Sequence, residues 1–97
     1  MTAFDFSELA ESDVSDIWAY VASDNIQAAD QFISELEETC HMLAKHPQAG
    51  RARPDIDPNV RSFAIGEYLV FYTERRNRLI VARVLHGRRD IARLFHR

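Results

Sequence analysis

The chain has 97 residues, 46% of them hydrophobic and 28% charged, with a formal net charge of -3 and a single cysteine. The lone Cys40 excludes an internal disulfide framework and points to a reducing compartment, and no apolar run approaches the ~20 residues that span a bilayer. At this length one small core is expected, burying roughly 60–70% of the surface that the unfolded chain exposes, so the sequence is read as one soluble, cytoplasmic domain over residues 1–97.

The small net charge conceals a strong segregation. The first 44 residues carry ten Asp and Glu and neither Lys nor Arg, while all twelve basic residues lie at Lys45 or later. An acidic half is thus joined to a basic half that can steer toward nucleic acid or an acidic protein.

In chain order, Met1–Glu8 has no positive n-region and no apolar h-region, so no leader is expected. Ala3–Phe6 alternates like a short edge strand. Ser7 then suits an N-cap, and Leu9, Ala10, Val14, Ile17, Trp18 and Val21 fall at helical spacing, predicting a helix over about Ser7–Ser23 with Trp18 as core between helix and sheet. Asp24-Asn25 supplies a turn and a second cap. Ala29, Phe32, Ile33, Leu36, Cys40, Leu43 and Ala44 continue the period, predicting a second helix over Ile26–Lys45, antiparallel to the first.

All three prolines, Pro47, Pro54 and Pro58, fall with Gly50 in His46–Asn59, which is predicted to be an irregular connection plugged by Ile56. Three apolar segments follow, Val60–Ile65, Tyr68–Glu74 and Leu79–His86. Gly66-Glu67 joins the first pair, and Arg75-Arg76-Asn77-Arg78 the second, with Asn77 suited to a left-handed position. Gly87 is expected to make a sharp turn at positive φ, leading to a short helix with Asp90 in its first turn. The predicted fold is α+β: an N-terminal strand and a helical hairpin on a small antiparallel sheet with a three-strand C-terminal meander.

The strand-turn-helix at the end gathers Arg83, His86, Arg88, Arg89 and Arg93 on one corner. With Arg61 and Phe95 they form the set expected to contact partners. His86 reads as a hydrogen-bonded residue at a strand end. Tyr68, Phe71 and Tyr72 read as sheet packing rather than a platform for bases. Cys40, His41 and His46 lack zinc-ligand spacing, so neither metal nor cofactor is expected.

The ordered set Ala10-x-x-Asp13-Val14-x-x-Ile17-Trp18-x-Tyr20, Asn25-x-x-Ala28-Ala29-x-x-Phe32 and Leu43-Ala44-x-x-Pro47-x-x-Gly50-Arg51-x-Arg53-Pro54-Asp55 carries a resemblance. It continues through Val60-Arg61-Ser62-Phe63, Gly66-x-Tyr68-Leu69-Val70-Phe71-Tyr72 and Arg83-Val84-Leu85-His86-Gly87-Arg88-Arg89-Asp90-Ile91. Over nearly its whole length the chain resembles the ParE branch of the RelE/ParE toxin superfamily. The resemblance implies two helices against a small antiparallel sheet, and a toxin of a bacterial type II toxin-antitoxin pair. It further implies inhibition of DNA gyrase through its A subunit and a hetero-oligomer with a cognate antitoxin.

Relatives similar to RelE instead cut messenger RNA in the ribosomal A site. For that alternative the candidate set is Arg61, Arg83 and His86 with Glu67, since metal-free cleavage needs a base, an acid and cations for the developing charge. A nucleic-acid-binding module without toxicity is the other alternative. For the gyrase reading neither a membrane nor direct nucleic-acid contact is expected. An acidic antitoxin tail would complement Arg61, Arg83, Arg88 and Arg89, laid on an open sheet face or paired with a sheet edge.

Overall fold

In the computed structural model, which describes residues 4–89 and 91, both helices start where a side chain accepts a free backbone amide. Ser7 Oγ accepts from the Ala10 amide at 3.0 Å and opens α1 (Glu8–Ala22); Asn25 Oδ1 accepts from the Ala28 amide at 3.1 Å and opens α2 (Ile26–Lys45). One of the four otherwise unpaired donors at each helix start is thereby satisfied. The short link between the helices folds them into the expected hairpin, with Ala10, Ile17, Ala29, Leu36, Cys40 and Leu43 buried.

Among the described residues, five strands form one sheet in the order β1-β5-β4-β3-β2. They are β1 (Phe4–Phe6), β2 (Arg51–Ala52), β3 (Arg61–Ile65), β4 (Tyr68–Arg75) and β5 (Arg78–His86). The meander β3-β4-β5 is antiparallel as predicted, with Ile65 opposite Tyr68 and Arg75 opposite Arg78 at its two turns. The sheet as a whole is mixed, because β1 lies parallel to β5 with Phe4 opposite Leu79. A parallel neighbour needs a long crossover, and the chain between β1 and β5 supplies one through the helical hairpin.

The proline-bearing connection is more ordered than predicted. Pro47–Ala49 makes a single 3-10 turn, and Arg51–Ala52 pairs antiparallel with Arg61–Ser62 as the far edge of the sheet. Arg53 still donates its amide to Val60 O at 2.9 Å, but Pro54 comes next, and a residue without an amide donor cannot prolong a ladder.

The tight turns use left-handed backbone where predicted, and at one further place. Gly66 has φ 58°, Asn77 has φ 64°, and Arg76 beside it has φ 53°. Gly87 does not have positive φ, contrary to expectation. Its amide instead donates to the Glu67 carbonyl at 2.8 Å, tying the end of β5 to the β3-β4 turn. A Cβ at Gly87 would sit 3.4 Å from that oxygen, an ordinary contact, so no steric rule demands glycine there.

The sheet buries both faces, against different material. On the helical face Ile65, Val70, Tyr72, Leu79, Val81 and Val84 pack with Ala10, Ile17, Leu36, Cys40 and Leu43. On the other face Phe71 and Leu85 pack with Ile56 and Ile91 in a smaller core. Ile56 is the expected plug of the proline segment. Phe71 and Tyr72, adjacent in β4, are 0% and 1% exposed on opposite faces, so they cannot form a stacking surface.

Trp18 departs from the expectation of a core residue: it is 37% exposed, and its indole Nε1 donates to Asp30 Oδ1 at 3.0 Å across the hairpin. The polar end of an indole favours a partner at the boundary over burial. Of the short helix predicted at the C-terminus only Ile91 is described; Asp90, Arg93 and Phe95 lie outside the described residues. Among the described residues no helix is long and apolar enough to cross a membrane.

Candidate partner-binding face

An irregularity in β5 decides which of its residues are available. Phe71 pairs with Arg83 and Tyr72 pairs with Val81, so Ala82 is an extra residue in a β-bulge. Alternation is lost there, and Val81 and Val84 both reach the helical core. A bulge of this kind re-aims side chains and leaves ladder groups unpaired. The start of α1 satisfies them. The Ser7 amide donates to Val81 O at 2.9 Å and Ser7 Oγ to Ala82 O at 2.7 Å, while the Val84 amide donates to Asp13 Oδ2 at 3.0 Å.

Arg83 is aimed by the same bulge at α1. Its Nε and Nη2 donate to the two Asp13 oxygens at 2.8 and 2.9 Å, with side-chain exposures of only 16% and 11%. The hydrogen bond to Asp13 raises Arg83 further above its ordinary pKa. Asp13 and Arg83, both within the resembling strings, therefore join helix to sheet, and this guanidinium already has its carboxylate.

Arg61 is likewise engaged. Its Nη1 donates to Gly50 O at 2.8 Å beside the buried Tyr72 hydroxyl, which accepts from the Gly50 amide at 2.8 Å and donates to Pro47 O at 2.7 Å. Burial pushes the Tyr72 phenol up. A Cβ on Gly50 would fall on the Tyr72 hydroxyl and ring, so glycine here permits the close approach. The cluster anchors the proline segment to the sheet and so sets the position of β2.

His86 stands at the other end of the sheet. Its Nδ1 accepts from the Arg88 amide at 3.1 Å, its ring meets Tyr68 edge-on at 5.3 Å, and its Nε2 lies 3.9 Å from the exposed Glu67 carboxylate. The structure thus brings His86 and Glu67 together but leaves Arg61 and Arg83 elsewhere. Arg61 and His86 are four residues apart in strand register, on the order of 13 Å along the strands at ~3.3 Å per residue.

The face opposite the helices presents a different set. A groove of about 600 Å³ runs between the proline segment and the end of β5, with Leu69 and Ile91 as its apolar part. Arg51, Arg53 and Arg89 line it. Arg53 sits 5.4 Å over the Phe71 ring, pairs with Asp55 at 2.9 Å and reaches Ser62 Oγ at 3.4 Å. The hydrogen bond from Arg53 holds Asp55 below the usual carboxylate range. Arg51, Arg88 and Arg89 are exposed and form no ion pair among the described residues.

Arg51 and Arg53 were absent from the set expected to contact partners. The string Arg51-x-Arg53-Pro54-Asp55 pointed to them, but only the pairing of β2 on β3 shows that they face Arg89 across a groove.

Residues 4–91 match the family described as ParE toxin of type II toxin-antitoxin system, parDE. The chain is 32% identical over 87 residues to Toxin ParE1 of Caulobacter vibrioides, covering 89% of this chain and 90% of that protein. It is 32% identical over 89 residues to Toxin ParE1 of Mycobacterium tuberculosis, covering 90% and 91%. Among solved structures, a chain of the chromosomal ParDE TA system from P. aeruginosa superposes with a TM-score of 0.71 at 18% identity, covering 89% of this chain and 96% of that one. The structural likeness establishes the same fold, and the sequence match over both halves shows that the chain belongs to the ParE toxin family of type II toxin-antitoxin systems.

Proposed function

We propose that this ParE-type toxin acts by binding and inhibiting DNA gyrase through its A subunit, and that a cognate antitoxin neutralises it by laying an acidic, amphipathic segment in the basic groove opposite the helices. Neither step makes or breaks a covalent bond in the toxin's own site. The observation that carries this reading is the division of labour among the cations. The guanidinium groups a nuclease would need are spent inside the fold, Arg83 on Asp13 and Arg61 on Gly50, whereas Arg51 and Arg89, which form no ion pair among the described residues, line the groove with apolar Leu69 and Ile91. Unpaired cations around an apolar floor suit a protein segment with alternating acidic and apolar residues.

A general acid or base must come within hydrogen-bond reach of the proton it moves, with cations near the developing charge. His86 has Glu67 beside it, but neither candidate Arg converges on the pair. This separation supports the reading of the toxin as a binding inhibitor, with His86 as a strand-end residue held by Arg88 and Tyr68.

Purified toxin added to gyrase and relaxed plasmid is expected to inhibit supercoiling and to accumulate cleaved DNA, with both effects relieved by stoichiometric antitoxin. Full gyrase activity, together with cleavage of translated messages that is lost in His86→Ala, would overturn the proposal in favour of a ribosome-dependent nuclease. Direct, steeply salt-dependent binding of the toxin alone to DNA, with gyrase unaffected, would overturn it in favour of a nucleic-acid-binding module.

A further inference from the structure

The helical hairpin carries a second concavity, on the side of the sheet away from the basic groove. It encloses about 450 Å³, with Phe6, Val14, Trp18, Ile33 and Leu36 as its apolar lining. Val14 and Trp18 are one turn apart on α1, and Ile33 and Leu36 are one turn apart on α2, so the apolar lining forms a slot between the helices. The bond from Trp18 Nε1 to Asp30 holds the indole as a wall of this slot and leaves it 37% exposed.

That same bond sets the register of the hairpin. Two turns before Trp18 on α1 stands Glu11, two turns beyond Asp30 on the antiparallel α2 stands Glu37, and both line the slot. Neither carboxylate forms an ion pair among the described residues. No Lys or Arg occurs in the first 44 residues to offset them. Two like charges beside an apolar slot favour a cation arriving between them and disfavour another anion.

We propose that this slot is a docking site for a basic amphipathic helix of a partner protein. Apolar side chains spaced three and four residues apart enter between Val14, Trp18 and Ile33, and a Lys or Arg follows them to Glu11 and Glu37. The two faces of the molecule then select opposite chemistry, acidic segments at the groove of Arg51 and Arg89 and basic segments here, and both can be occupied at once. This proposal depends on the slot alone and stands independently of the antitoxin assignment.

Trp18 is the only tryptophan in the chain, so its fluorescence reports on the slot directly. Titrating the full chain with a synthetic Leu/Lys amphipathic helical peptide is expected to shift Trp18 emission to saturation, whereas the Leu/Glu peptide of the same pattern leaves it unchanged. Ile33→Ser, which keeps the charge, and Glu11→Gln/Glu37→Gln, which keeps the shape, are each expected to weaken binding roughly tenfold. Circular dichroism establishes that each variant is folded before it is titrated. Equal binding of the Leu/Glu peptide, no saturable shift with the Leu/Lys peptide, or an Ile33→Ser variant that binds like the parent would overturn the proposal. So would a concentration-dependent dimer that buries Trp18 without any peptide.

Discussion

Single residues show how burial decides chemistry that sequence alone leaves open. Burial, and secondarily the charge of Glu37, push the Cys40 thiol up to about 12. The thiolate is the reactive form, so native protein at pH 8 is expected to resist Ellman's reagent and to react once unfolded in guanidinium. Fast labelling of the native state would contradict this. Gly50 and Gly87 look alike in the sequence, yet only Gly50 lies where a Cβ would meet Tyr72. Urea denaturation is expected to show Gly50→Ala costing about 1–3 kcal/mol through overpacking. Gly87→Ala should cost no more than ~0.5 kcal/mol, as at an unconstrained surface site. Sequence could not separate the two, because the constraint on Gly50 comes from a side chain 22 positions away.

At the scale of elements, the helices were legible and the bulge was not. Ser7 and Asn25 are strong caps, and α2 spans Ile26–Lys45 as its apolar period predicts. The bulge at Ala82 has as its signal a break in alternation, and a β-branched run hides such a break. With the bulge unseen, Arg83 read as a surface cation. It instead joins β5 to α1 through Asp13, which also accepts from the Val84 amide. Replacing Asp13 by Asn leaves a largely buried guanidinium without its charge partner, at an expected cost of about 2–4 kcal/mol. A double-mutant cycle with Arg83→Gln should return a coupling of at least ~1 kcal/mol, and strict additivity would argue that the pair does not hold the helix to the sheet.

The Asp5–Arg78 pair, at 2.8 Å, ties the outer strand β1 to β5 in a more exposed setting. Its hydrogen bond from Arg78 lowers Asp5 below its ordinary 3.8. A carboxylate depressed in the folded state adds stability above its unfolded pKa and loses it as pH falls through the folded value. The stability difference between the parent and Arg78→Gln should therefore be constant near neutrality and shrink once the pH drops below about 4. A difference that grows on acidification would contradict the assigned sign.

For the molecule as a whole, the segregation of charge along the chain becomes a segregation between faces. The acidic hairpin covers one side of the sheet, and the late-chain arginines Arg51, Arg53 and Arg89 border the groove on the other. The charge split was legible from residue order, and so was the α+β arrangement, because helical and strand periods occupy separate halves. The groove was not legible, since it depends on β2 pairing within a segment whose prolines mask a strand of only two residues.

The central claim is that an acidic partner segment is drawn into this groove by its unpaired guanidinium groups. Its most direct test is the association rate of the toxin with its cognate antitoxin, measured by stopped flow at low and high salt for the parent and for Arg51→Glu/Arg89→Glu. The parent should associate rapidly at low salt and more slowly as salt screens the charges. The double variant should associate at least ~10-fold more slowly at low salt, with most of the salt dependence gone. Identical low-salt rates for parent and variant would contradict the claim.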